Sequence, residues 1–185
     1  MIWSDRLVLR PQNPEQLADL QHYYLENAAH LEPWEPARTD DFHTDAAWQD
    51  RLEATVEAHE AGQSLKLTVR RRDTDQLIGV CNYTNIVRAS FQACHLGYSL
   101  AASAQGQGYM NEALTASLHH VFTHLNLHRV MANYVPENTR SGRLLSRLGF
   151  VEEGVAKDYL HINGRWRDHV LTSKINPVFR HFNHT

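Results

Sequence analysis

A chain of 185 residues that is 42% hydrophobic and 21% charged can bury its own core, which excludes a disordered, collagenous or coiled-coil state. Eighteen basic against 21 acidic residues leave a net charge of −3 at pH 7, which excludes bulk electrostatic binding of DNA or of an anionic membrane. The two cysteines, Cys81 and Cys94, sit in apolar stretches without CxxC spacing and read as free buried thiols, not as a secreted disulfide framework.

The first ten residues, MIWSDRLVLR, contain no apolar signal core. Residues 89–111 lack Asp, Glu, Lys and Arg, but Gln92, His95, Gln105, Gln107 and three glycines make them too polar to span a membrane. A cytoplasmic protein is expected. Residues 6–10 alternate apolar and polar up to Pro11, which predicts a short strand. Asn13 is an expected cap for a helix from Pro14, with Leu17, Leu20, Tyr24 and Leu25 at helical spacing. Residues 30–36 (HLEPWEP) read as a loop, because two prolines forbid a continuous helix. Asp45 is an expected cap for a second helix to Glu60, stopped by Gly62.

From Leu65 the period changes to two. Residues 65–70, 76–87 and 91–100 predict three strands, with turns at 73–75 and 88–90. A glycine-containing loop at 103–108 leads into a helix over 109–126, whose stripe is Leu114, Leu118, Val121, Phe122 and Leu125. A strand at 129–135 ends at Pro136, and a helix at 138–148 is closed by Gly149. Extended residues 150–156 and 157–162 precede the type I′ signal Asn163-Gly164 and a strand at 165–172. The expectation is one α/β domain over 1–185, with a core at about 4–172 and a short frayed tail at 173–185. Its sheet is expected to be mixed, of about seven strands, with helices on both faces.

Chemistry concentrates where the strand ending in Ser99-Leu100 runs through Gln105-Gly106-Gln107-Gly108 into Tyr109-Met110. Glycines admit a ligand close to backbone amides, and the helix start adds free N–H groups and partial positive charge, so the turn suits a diphosphate. No Gly-Lys-Ser/Thr follows Gly108, and Asn111 stands at the third glycine position of a dinucleotide fingerprint. Both of those phosphate-binding folds are therefore disfavoured, and taken alone the loop is equally a plain strand-to-helix connector.

A second segment, Pro136-Glu137-Asn138-Thr139-Arg140-Ser141 running on to Leu148-Gly149-Phe150, changes that balance. QGQGYM followed by NTRS and LGF resembles the GNAT superfamily of acyl-CoA N-acyltransferases. LEPWEP, LGYSL, QGQGYMNEAL, HRVMANYVPENTRSGRLLSRLGF and KDYLHINGRWRDHVL are similar to its Rim-type ribosomal-protein alanine N-acetyltransferases, across about residues 4–172. The resemblance implies acetyl-CoA as co-substrate and no metal. It places Gln105, Gly106, Gln107, Gly108, Tyr109 and Met110 at the coenzyme diphosphate, Ser99 and Leu100 at the pantetheine, and Asn138 at its thiol end. It implies direct transfer to the N-terminal α-amine, alanine, of a small-subunit ribosomal protein. Association with a ribosome or pre-ribosomal particle, no specific DNA binding, and a monomer or weak homodimer are the matching expectations for partners.

Two positions depart from the superfamily. Met110 stands where Gly or Ala is preferred, and Leu145 stands where the usual tyrosine acid would be. Ser141 is the Rim-type partner of the leaving thiolate, its alternative being a first-turn residue bonded to backbone. His95 occupies the place of the usual glutamate base. An α-ammonium of pKa about 7.7–8.0 needs only a weak base, and His95 is one candidate, Glu35 another and water a third. Arg143, with Arg140 and Arg147, is expected at the coenzyme phosphates, at RNA or in solvent. Trp34, Glu35, Tyr159 and Trp166 are the expected acceptor-binding residues. Glu112 reads as a structural charge at a helix start. His120, His124 and His128 have i,i+4 spacing but no HExxH, and read as a solvated face.

Two further readings stay open at this stage. One is a GNAT enzyme acting on another peptide, an aminoacyl-nucleotide antibiotic or a small amine. The other is a non-catalytic acyl-CoA-binding or ribosome-assembly factor.

Overall fold

The computed structural model describes residues 1–180. Strand β1 (Ile2–Trp3) and β2 (Leu7–Pro11) form an antiparallel pair that leads into α1 (Leu17–Glu26), α2 (Ala28–Leu31) and α3 (Asp45–Glu60). Three antiparallel strands follow, β3 (Leu65–Arg71), β4 (Leu77–Val87) and β5 (Ala93–Leu100). Then come α4 (Tyr109–Thr123), β6 (Arg129–Met131), α5 (Thr139–Arg147), β7 (Val151–Ile162) and β8 (Arg165–Ile175). The strands form one mixed sheet of eight in the order β1-β2-β3-β4-β5-β6-β8-β7. The eighth strand, absent from the expected seven, is β1. Two residues are too short to carry a period of two, and β1 exists only by its pairing to Leu9 and Val8.

Local chemistry explains the other differences from expectation. Pro14 starts a 3-10 turn, Pro14–Gln16, so Asn13 makes no side-chain cap and α1 begins three residues later than expected. Thr44, not Asp45, caps α3, its Oγ1 accepting from Ala47 N at 3.3 Å. The Glu32–Trp34 segment is a 3-10 turn after α2, because Pro33 falls in a first turn where its missing N–H costs nothing. The tail is shorter than 173–185. Strand β8 runs on to Ile175, and buried Asn176 donates from Nδ2 to the carbonyls of Phe122 and Leu127. Residues 181–185 lie outside the described residues.

Alternation along β4 sends successive side chains to opposite faces. Val80 packs with Leu20 of α1 and with Trp48 and Leu52 of α3. Its neighbour Cys81 meets Met110 of α4, and Tyr83 Oη lies 2.8 Å from Ser117 Oγ on the same helix. Helices therefore cover both faces. Cys81 and Cys94 are buried free thiols.

The ladder breaks between β5 and β6. They pair in parallel only over Ala93↔Arg129, Cys94↔Val130 and His95↔Met131. Beyond Met131 the chain leaves for β8, with Ala132 N donating to Thr172 O and Tyr134 bridging Val170. Residues 96–100 of β5 are left without a strand partner on that side among the described residues, and the sheet opens there.

Glu112 in the first turn of α4 ties this region to the β1–β2 pair. Its carboxylate accepts from Ser4 Oγ, Arg6 N and Arg6 Nε, each at 2.7 Å. Burial alone would raise its pKa, but the Arg6 amide, Ser4 and the Arg6 guanidinium outweigh it and hold the carboxyl below the usual glutamate value. A depressed carboxylate stabilises the fold above its unfolded pKa and loses that contribution as pH falls through the folded one. Glu112→Gln is expected to cost about 1–3 kcal/mol at pH 7, in a urea midpoint, and the difference between the two proteins should shrink as the pH falls below the usual glutamate range.

Candidate active site

The opening between β5 and β6 forms the floor of a cavity of about 810 Å³. Tyr98, Ser99 and Leu100 line it from β5, Gln105 to Asn111 from the start of α4 (Gln107 excepted), and residues 137–141 with Arg143, Leu144 and Arg147 from α5 and the turn before it. Leu31, Trp34 and Glu35 close one end.

Gly106 and Gly108 hold the α4 loop open, with φ of +76° and +81°. In this conformation the amides of residues 106–111 find no acceptor among the described residues, and they crown the positive end of a 15-residue helix. The side chains of Tyr109 and Met110 turn into the core, 8% and 6% exposed, so Met110 packs on Cys81 and leaves its amide available. Gln107 folds back onto Ser103 O and does not line the cavity. Gln105 spans it, donating to His30 Nε2 and accepting from Arg140 Nη1. Arg140, Arg143 and Arg147, on exposed positions of α5, all line the cavity. Unpaired amides at a helix start beside three guanidinium groups fit the diphosphate and ribose phosphate of coenzyme A.

Deeper in the opening, Tyr98 Oη and Ser141 Oγ are 2.7 Å apart. Burial pushes the Tyr98 phenol up to about 12, against the pull of the Ser141 hydrogen bond, so it stays protonated at neutral pH. Asn138 caps α5, its Oδ1 accepting from Ser141 N at 3.1 Å, which fixes the serine at the first turn. Gly142 beside it lies against the Tyr134 ring: a Cβ there would fall 2.7 Å from Tyr134 Oη, so any larger residue would displace that ring. Leu145 is a core residue, 1% exposed, and no acid.

Tyr98 was not among the expected site residues, although strand alternation could have found it. Ser99 points the other way and bonds Tyr23 Oη at 2.9 Å, so its neighbours Tyr98 and Leu100 face α5. His30 and Leu31 were also missed, since nothing in their local sequence ties them to a loop 75 residues away.

The remaining expected residues are dispersed. Glu35 and Trp34 line the cavity, but Glu35 Oε2 accepts from Arg38 Nη2 at 2.5 Å, and its carbonyl accepts from Asn163 N at the β7–β8 turn. His95 does not line the cavity; it sits on the α1–α3 face of β5, its Nδ1 buried without a partner. Burial lowers its pKa, which keeps the imidazole neutral at pH 7. Tyr159 and Trp166 also lie away from the cavity. Tyr159 Oη accepts from Asn133 Nδ2, and Trp166, 61% exposed, packs edge-on to His161.

Comparison with known proteins agrees with this geometry. The family model described as an acetyltransferase (GNAT) domain matches residues 6–151. The chain is 47% identical over 174 residues to the [ribosomal protein uS5]-alanine N-acetyltransferase of Escherichia coli, covering 94% of this chain and 90% of that one. It superposes on the ribosomal-protein-S5-alanine acetyltransferase of Vibrio fischeri with a TM-score of 0.93, at 39% identity, covering 98% and 100% of the two chains. Mycobacterium smegmatis RimJ, solved with CoA-disulfide, gives a TM-score of 0.86 at 32% identity, covering 91% and 81%. A wedge opened in a mixed sheet, with bare amides along one side, is thus the acetyl-CoA cleft of a family, and this chain is an N-acetyltransferase belonging to the GNAT family.

Proposed function

We propose that the enzyme acetylates the free N-terminal α-amine, alanine, of a small-subunit ribosomal protein in the cytoplasm. The observation that carries this reading is the 47% identity, over 94% of the chain, to an enzyme named for alanine acetylation of uS5. Acetyl-CoA supplies the acetyl group as an activated thioester. The amides of residues 106–111 hold its diphosphate, and Arg140, Arg143 and Arg147 neutralise phosphate charge at the rim. Tyr98 Oη stays protonated at the floor and donates to Ser141 Oγ, whose own hydrogen bond stabilises the departing thiolate; the sulfur takes up a proton from solvent, as the attacking nitrogen gives one up to solvent in becoming the amide. Asn138 holds Ser141 in place through its amide.

Little is asked of a base. An α-ammonium of pKa about 7.7–8.0 gives up its proton to solvent at neutral pH, whereas a lysine near 10.4 does not. Glu35 is neutralised by Arg38 and acts at the end of the cleft by position, and neutral His95 stands off its wall. The site thereby favours α-amines without a dedicated carboxylate base.

Thiol release from acetyl-CoA is expected with peptides beginning with free alanine, and not with N-blocked lysine peptides or small amines; turnover on small amines alone would overturn the proposal. The rate should rise with pH through about 7.7–8.0, and His95→Gln should leave that profile in place. Tyr98→Phe and Ser141→Ala are each expected to lower kcat by roughly 10²–10⁴ with little change in KM for acetyl-CoA. Gly106→Ala meets no atom within 4 Å. Its cost is conformational, about 1–2 kcal/mol, read as a roughly tenfold weaker coenzyme A affinity by calorimetry.

A further inference from the structure

On the α1–α3 face of the sheet lies a second cavity, of about 320 Å³, that no step above uses. Its floor is the sheet itself. Lys66 of β3 and Asn82 of β4 are paired in register, and Gln12 Nε2 donates to Asn82 Oδ1 at 3.2 Å. Its wall is α3, which presents Trp48, Arg51 and Thr55 along one helical face. Its roof is the segment 35–39 with Phe42.

The cavity is cationic. Arg38, Arg51 and Lys66 line it against one carboxylate, Glu35, which is already committed to Arg38. Arg51 and Lys66 form no ion pair with any carboxylate among the described residues. The Arg51 guanidinium is fixed over Phe42 and Trp48, 4.5 and 4.7 Å from the ring centroids. Its Nη1 is buried without an acceptor, as is the indole Nε1 of Trp48. Lys66 Nζ reaches only Thr55 Oγ1, at 3.4 Å. Burial, and after it the charge of Arg51, lower the Lys66 pKa. Two neighbouring cations with unused donors in a recess form a receptor for one anionic group, which would offset their repulsion and their lost hydration.

The position of the cavity says what brings the anion. Glu35 lines both this cavity and the acetyl-CoA cleft. Asn82 in its floor pairs with Gly97 of β5, the residue before Tyr98. Gly97 is exposed, and a Cβ there would meet nothing within 4 Å, so the strip of sheet between the two cavities is clear at that point. An extended chain lying on the α1–α3 face, with its amine at the open edge of β5 where Glu35 joins the two spaces, can run across Gly97 and lower a later side chain between Arg51 and Lys66. We infer that the Arg38–Arg51–Lys66 cavity reads an acidic side chain, Asp or Glu, that the acceptor polypeptide carries shortly after its N-terminal amine. This rests on the N-terminal acceptor reading above and adds a second determinant to it.

The test uses the intact enzyme and peptides beginning with alanine that are neutral except for one glutamate, moved along successive positions, each compared with its glutamine twin. At the matching position, the glutamate peptide should have a roughly tenfold higher kcat/KM, carried by KM. Arg51→Met and Lys66→Met should each collapse that ratio toward unity, while the KM for acetyl-CoA stays in place. The peptide pairs need no variant, so the result stands even if a variant fails to fold. Turnover of alanine peptides with equal kcat/KM for glutamate and glutamine at every position overturns this inference and leaves the N-terminal acceptor reading standing. Stimulation of neutral-peptide turnover by inorganic phosphate, without a glutamate preference, also overturns it, assigning the cavity to a free anion. No turnover on any alanine peptide removes both readings together.

Discussion

Everything at the active site depends on the point where β5 and β6 stop pairing. Three parallel pairs hold them together, and after His95↔Met131 the two strands have different obligations. The chain after β6 is captured by β8 through Ala132, Asn133 and Tyr134, which bond Thr172 and Val170. β5 instead stays with β4, paired as far as Gly79↔Leu100. A sheet that must satisfy both sets of backbone bonds opens between them. The wedge lets a ligand reach backbone in the middle of the fold without breaking the core, because the unpaired edge belongs to one strand for only a few residues.

The wedge alone would be an inert gap. Its chemistry comes from two helix starts that converge on it. That of α4 carries bare amides set by two left-handed glycines, and that of α5 carries Asn138 and Ser141. The two are braced differently. Glu112, bound by Arg6 and Ser4, anchors α4 to the far edge of the sheet, so the bare amides sit on a fixed element. α5 lies against Tyr134 at Gly142, and its first turn brings Ser141 Oγ to 2.7 Å from Tyr98 Oη. The oxygen pair at the floor is thus positioned by packing, and its proton is retained because burial disfavours the charged phenolate.

The two cavities meet the sheet from different sides. Tyr98 and Leu100 face α5, whereas His95, Gly97 and Ser99 face α1 and α3, with Glu35 where the two spaces join. The arginine rim of the first cavity and the cationic cavity beneath α3 are separate sets of positive residues, on Arg140, Arg143 and Arg147 and on Arg38, Arg51 and Lys66. A net charge of −3 hides both, since charge summed over a chain says nothing about where it gathers.

What the sequence by itself determined is local. Alternation fixed β2 to β5, the QGQG turn marked the passage from β5 into an amphipathic helix, and Asn163-Gly164 closed the last hairpin with φ of +44° and +76°. Each depends on neighbours a few residues apart, where period, capping and turn chemistry act directly. Resemblance to the GNAT superfamily added Ser141 and Asn138, which the cleft does bring together. Only the tertiary structure decided the rest. It gave Ser141 the partner Tyr98, 43 residues away, moved His95, Tyr159 and Trp166 off the cleft, and neutralised Glu35 with Arg38. It also made β1 a strand and Asn176 a buried anchor. The physical reason is common to all of these. Which face a side chain occupies, and which distant group satisfies it, is set by strand order and register, and neither is encoded in any short stretch of the chain.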